Sequence, residues 1–150
     1  MQFFTLANFF VSLAAMAVVG RASPTPEPAS AAIWTDAEFD HWLATTDAKI
    51  TYYGNTSSNA LAPRAALNTR ITYCSSRIGN VCGGACTVYD GGAACLNAPD
   101  TVCLAATQNV GFCSSPGCVG DCTQLTDCIM FLEGGFCFTP DTKSILVSPL

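Results

Sequence analysis

The chain has 150 residues, ten of them cysteine, and a formal net charge of −5 from 6 basic and 11 acidic side chains. That length suits one domain, and an acidic chain without a Lys/Arg cluster is excluded as a binder of nucleic acid or of anionic membranes. All ten cysteines lie between Cys74 and Cys137, which points to a disulfide framework formed in an oxidising compartment.

Leu6 to Val19 form a nearly unbroken apolar run, interrupted by Asn8 and Ser12. Gly20 and Ala22 put small residues at the −3 and −1 positions of a cut after Ala22, so residues 1–22 read as a signal peptide. The competing reading, a membrane anchor, needs roughly 20 apolar residues. No later stretch is apolar enough to span, and Ser144-Ile145-Leu146-Val147 is too short for a lipid-anchor signal. Without residues 1–22, Lys49, Arg64, Arg70, Arg77 and Lys143 face eleven acidic side chains, a net charge of −6. Residues 23–32, rich in Pro, Ser and Ala, read as an extended linker. Residues 33–150 read as a single domain with a cysteine-rich repeat region over 74–142.

The first predicted helix spans Asp36 to Thr45. Thr35 and Glu38 form a candidate capping box, and Trp34 and Phe39 a hydrophobic staple. Asp36, Glu38 and Asp40 place negative charge where the helix dipole favours it. Ile50-Thr51-Tyr52-Tyr53 reads as a strand ending at Gly54-Asn55. Asn55-Thr56-Ser57 is the one acceptable sequon of the mature chain, so Asn55 is the expected glycosylation site. Pro63-Arg64 offers a second processing point, which would make residues 23–64 a propeptide. Between Pro63 and Ser76, apolar residues recur at helical spacing while Thr69, Ile71, Thr72 and Tyr73 favour a strand. The helix is the reading adopted here, closed by Gly79.

The cysteine region contains an internal repeat. Cys82-Gly-Gly-Ala-Cys86-Thr87 echoes Cys118-Val-Gly-Asp-Cys122-Thr123, and Cys95 followed by Pro99-Asp100-Thr101 echoes Cys137 followed by Pro140-Asp141-Thr142. Asp90-Gly91 and Gly134-Gly135 suit hairpin turns. Thr87-Val88-Tyr89 is therefore expected to pair with Ala93-Ala94-Cys95, and Met130-Phe131-Leu132 with Phe136-Cys137-Phe138. Short helices are expected near Asp100–Thr107 and Cys122–Asp127. The fold class is α+β: a small disulfide-rich domain, its N-terminal helix packed on short hairpins and helical turns. Cys74, Cys82, Cys86, Cys95 and Cys103 make the first half odd, as Cys113, Cys118, Cys122, Cys128 and Cys137 make the second. At least one bridge must therefore join the halves if all ten pair, and Cys103–Cys128 is one candidate.

Other chemistry has bland explanations. The two C-x₃-C pairs match a spacing that zinc sites use, but the secretory route and the single histidine favour disulfides. His41, next to Trp42, reads as a helix-surface residue, and no G-x-S-x-G elbow frames a nucleophile. Asp90 and Glu133 occupy equivalent repeat positions and are the candidate pair for a glycosidase, which needs two carboxyls across one cleft, yet both precede Gly-Gly turns where an acidic residue has a structural use. Trp34, Trp42, Tyr52, Tyr53, Tyr73, Tyr89, Phe112, Phe131, Phe136 and Phe138 are candidates for binding sugar, but most of them alternate or staple in ways that predict core. No metal site, cofactor or catalytic residue is expected.

Phe39-Asp40-His41-Trp42-Leu43-Ala44-Thr45-Thr46-Asp47-Ala48, Thr72-Tyr73-Cys74, Val81-Cys82-Gly83-Gly84, Cys86-Thr87-Val88-Tyr89 and Gly135-Phe136-Cys137-Phe138-Thr139-Pro140 resemble a family of small secreted cysteine-rich proteins of basidiomycete fungi. The resemblance runs from about Trp34 to Pro149 and implies secretion, disulfides and an effector-like character without an assigned activity. No catalytic residue carries over, and the adjacent cysteine doublets of hydrophobins are missing. The expected function is a secreted, non-enzymatic interaction protein whose partner is an extracellular protein or a cell-wall polysaccharide. The alternatives are a carbohydrate-binding protein for chitin or glucan, and a hydrolase of unrecognised type.

Overall fold

The capping chemistry at Thr35 starts the only α-helix among the described residues. In the computed structural model, which describes residues 32–54 and 68–148, α1 spans Asp36–Thr45. Thr35 Oγ1 accepts the Glu38 N–H at 3.2 Å, and the Glu38 carboxylate accepts the Thr35 N–H at 2.7 Å. These bonds hold the Glu38 carboxyl below its ordinary range. The staple forms as expected, with the Trp34 and Phe39 rings 5.7 Å apart.

The remainder is mostly β. Strands β1 (Lys49–Gly54), β2 (Thr69–Ile78), β3 (Val81–Gly91), β4 (Ala94–Ala106), β5 (Gly111–Cys113), β6 (Cys122–Gln124) and β7 (Cys137–Val147) form one mixed sheet in the order β1-β3-β2-β4-β7-β5-β6. Only β1 pairs parallel to its neighbour, β3. The expected α+β class thus holds in part: one helix lies on a seven-stranded sheet.

Several local expectations are corrected. The described part of the Pro63–Ser76 segment is strand β2, because Ile71, Tyr73 and Thr72 are buried on alternate faces and hydrogen-bonded on both edges. Gly79-Asn80, with Gly79 at φ 60°, closes the β2–β3 hairpin instead of ending a helix. Thr87–Tyr89 pairs with β1 and β2, not with Ala93–Cys95, since β2 lies between β3 and β4. The helix expected over Asp100–Thr107 is strand β4, its Leu104, Ala105 and Ala106 fully buried. Cys122–Asp127 divides into β6 and a 3₁₀ turn, Leu125–Asp127. The second hairpin does form: Phe131 bridges Cys137, and Gly134 and Gly135 take φ values of 71° and 79°. Ala32, read as linker, is buried, and its carbonyl accepts the Ala106 N–H at 3.0 Å. The signal peptide over 1–22, the remaining linker, the Asn55 sequon, Pro63 and the Arg64 processing point lie outside the described residues.

The sequence repeat is a structural repeat. The sheet order reads as two copies of a three-stranded unit, β3-β2-β4 and β7-β5-β6, meeting about the antiparallel β4–β7 pair. Cys74 faces Cys86 across β2–β3, and Cys113 faces Cys122 across β5–β6. Asp100 and Asp141 share a left-handed φ, 63° and 64°. Thr101 and Thr142 each donate their hydroxyl to a carbonyl three residues back, at 3.0 and 2.8 Å. In β4 the register shifts on either side of Thr101, next to Asp100.

Two apolar clusters result. The inner one joins Ile71, Tyr73 and Tyr89 of the first unit to Val110, Leu125, Ile145 and Val147 of the second. The outer one packs α1 on the first unit through Trp34, Phe39 and Phe136, alongside Cys74, Cys82, Cys86 and Cys103. Arg70 clamps the helix from β2. Its guanidinium lies 4.2 Å over the Phe39 ring and 2.7 Å from the Asp40 carboxylate.

Five disulfides brace this sheet: Cys74–Cys86, Cys82–Cys103, Cys95–Cys118, Cys113–Cys122 and Cys128–Cys137. The bridge between halves is Cys95–Cys118, not Cys103–Cys128. The symmetry of the bridges breaks at two positions: Cys128, which takes Cys137, has no counterpart in the first unit, and Ser144 stands in the place of a cysteine. Where Cys103 faces Cys74, Ser144 faces Cys113. Cys118 therefore finds a hydroxyl instead of a thiol, its N–H donating to Ser144 Oγ at 2.9 Å, and its sulfur reaches Cys95.

Two stability outcomes are expected. At Gly135 a Cβ would sit 2.8 Å from the buried Trp34 Nε1 at a left-handed φ of 79°. Gly135→Ala should cost about 3 kcal/mol by urea unfolding. The Cys95→Ser/Cys118→Ser double variant should lose about 2–4 kcal/mol while keeping the native near-ultraviolet spectrum, because β4–β7 pairing remains.

Candidate binding surface

All ten predicted cysteines are consumed in bridges. The two C-x₃-C pairs contribute to four different disulfides, so neither pair is left for zinc. Among the described residues no group of three or more His, Cys, Asp or Glu side chains could hold a metal ion. His41 is exposed on α1, its carbonyl accepting the Thr45 hydroxyl at 2.8 Å. Asp90 and Glu133 are far apart. The Glu133 N–H bonds to Asn80 O at one end of the β2–β3 hairpin, while Asp90 lies at the other end of β3. At about 3.3 Å per residue, the nine steps from Val81 to Asp90 put roughly 30 Å between these ends, beyond the separation of any glycosidase pair.

The tyrosines divide by burial. Tyr73 and Tyr89 belong to the inner core, and Tyr89 donates its hydroxyl to Gly92 O at 2.8 Å. Tyr52 and Tyr53, which precede the end of strand β1, are 57 % and 59 % exposed. Being adjacent on a strand, they point to opposite faces and do not form a shared platform. The sequence does not single these two out from the aromatic residues expected in the core; the position of β1 at the sheet edge leaves them exposed.

Open surface of two further kinds flanks the β2–β3 hairpin. On one side a cleft of about 410 Å³ is lined by Asp47, Lys49, Ser76, Ile78, Val81 and the glycine pair Gly83-Gly84. On the other the loop Ile129-Met130-Phe131 runs beside Arg77, whose guanidinium lies 4.0 Å over the Phe138 ring and 3.3 Å from the Met130 sulfur. The Cys128–Cys137 bridge and the Phe131–Cys137 pairing fix this loop. Comparison with family models, with curated proteins and with solved structures finds no match. No helix among the described residues is long and apolar enough to cross a membrane, and five bridges fit an extracellular, oxidising environment.

Burial pushes the Tyr73 and Tyr89 phenols above the ordinary tyrosine range, with the nearby Tyr53 a smaller influence in the same direction. The folded state favours the neutral phenol, so this stability is full below about pH 10 and is lost as pH rises through the elevated folded values. Denaturant midpoints measured from pH 8 to 12 should fall beyond about pH 10, and Tyr73→Phe should make the fall shallower.

Proposed function

We infer that this is an extracellular, disulfide-stabilised interaction protein that binds its partner without turning it over, of the effector-like kind its sequence resembles. One observation supports this most directly. The bridges brace the parts of the surface that carry exposed large apolar side chains: Cys82 adjoins Val81, and Cys128 adjoins Ile129. Rigid apolar side chains held in water lower the ordering cost of association. Their exposure is otherwise a liability for a secreted monomer.

The chemistry of the surface favours a protein partner over a polysaccharide. The exposed set holds Ile, Val, Met, Phe and Arg, and Met, Arg and aromatic residues are enriched at protein interfaces. A glycan face would need rings presented side by side, and the two exposed tyrosines of β1 diverge.

The test uses the full chain, secreted and purified with its bridges intact, presented to a broad panel of hydrolase substrates and to insoluble chitin and glucan. No turnover and no retention on either polymer are expected. Turnover abolished by one side-chain change would overturn the reading in favour of an enzyme. Saturable retention on chitin or glucan would replace the protein partner with a carbohydrate.

A further inference from the structure

Ile129, Met130 and Phe131 are three consecutive large apolar side chains, exposed by 96 %, 47 % and 37 %. Such a run in water is a fault in a folded surface unless it is used. Here it is held in place. Cys128 ties the start of the loop to Cys137. Met130 O accepts the Phe138 N–H at 2.9 Å, and the Leu132 N–H donates to Phe136 O at 2.7 Å. Leu132 is buried as an anchor, and the Glu133 N–H fastens the loop to Asn80 O of the β2–β3 turn at 2.8 Å.

Arg77 supplies a charge within this apolar setting. Its guanidinium is held by the Phe138 ring and the Met130 sulfur, yet the residue is exposed. The ion pairs among the described residues belong to Arg70, and no described carboxylate lies within ion-pair distance of Arg77. In a chain of net charge −5, this is a cation set beside apolar side chains and left for an outside anion.

We propose that Arg77 with Ile129, Met130 and Phe131 forms the docking surface for a segment of another extracellular protein that presents a carboxylate flanked by apolar side chains. The proposal deepens the interaction-protein reading and rests on it. Charge complementarity selects this occupant. A second copy docking the same patch about a two-fold axis would bring a second Arg77 cation and no carboxylate partner from the patch, and like charges sharing an interface oppose association. An anionic bilayer would be repelled by the acidic chain as a whole, with one arginine to offset it.

The experiment pans a random dodecapeptide phage library against the full-length oxidised protein, then measures the enriched synthetic peptides by fluorescence anisotropy. Wild type is compared with Arg77→Glu and Ile129→Ser, two exposed positions, each checked by circular dichroism and by an intact mass showing five bridges. The enriched peptides should share an Asp or Glu between apolar residues, and each variant should weaken binding about tenfold or more. Exchanging the peptide acid for Lys should restore binding to Arg77→Glu. Failure to enrich any peptide, enrichment without an acid, or affinities unchanged in both variants would overturn the proposal. So would vesicle binding by phosphatidylserine liposomes, or self-association of wild type lost in Arg77→Glu. None of these outcomes involves turnover or polysaccharide retention, so the proposal can fail while the interaction-protein reading stands.

Discussion

The antiparallel pairing of β4 with β7 is the constraint on which the rest of the structure depends. It is the seam between two three-stranded units, and it runs from Ala94 opposite Val147 to Leu104 opposite Cys137. Each unit alone has a small apolar face. Joined at the seam, they contribute both sides of the inner core, with Leu104 and Leu96 from one strand and Ile145 and Val147 from the other. The shared Pro-Asp-Thr turns, with their left-handed aspartates and buried threonine hydroxyls, recur in both strands of the seam. Non-glycine residues adopt that conformation at a cost. Its recurrence at Asp100 and Asp141 indicates that the same backbone solution is imposed twice by the same local sequence.

The outer face shows how the halves differ. The first unit is covered by α1, whose attachment combines the aromatic contacts of Trp34, Phe39 and Phe136 with the Arg70 clamp. Arg70 is a cation used internally: two carboxylates lie beside it and a ring beneath. Arg77, seven residues along the same strand, has the ring but no described carboxylate. Near opposite ends of β2, the two arginines separate structural from available charge in a way that composition alone does not.

Local signals were legible wherever a short stretch determines its own geometry. The capping box at Thr35 and Glu38, the Trp34–Phe39 staple, strand β1 and the Gly134-Gly135 turn all follow from neighbours in sequence. The repeat was legible too, as was the need for a bridge between halves. What escaped was non-local. Thr69 to Ser76 carries both helical spacing and β-branched residues, and the sheet decides between them by hydrogen-bonding both edges of β2. The Gly79-Asn80 pair is a hairpin signal that a helical reading turned into a stop. Asp90-Gly91 resembles a hairpin turn, but β2 occupies the place next to β3. The same limit applies to the candidate surface. Met130-Phe131-Leu132 reads as one strand of a hairpin in the sequence, and that pairing does not tell that Ile129, Met130 and Phe131 stand in solvent while Leu132 is buried.

The loss of symmetry at Ser144 has a topological result. Had a cysteine stood at 144 and paired with Cys118, Cys95 would have been left without a partner, every remaining cross-link would have closed inside its own half, and the stretch from Cys103 to Cys113 would have belonged to no ring. With Cys118 joined to Cys95, the spans 74–86, 82–103, 95–118 and 113–122 overlap in succession. A protease that nicks any one peptide bond from Cys74 to Cys122 therefore leaves the fragments covalently attached, like links of mail. One serine in place of a cysteine turns two separable sets of rings into a continuous chain.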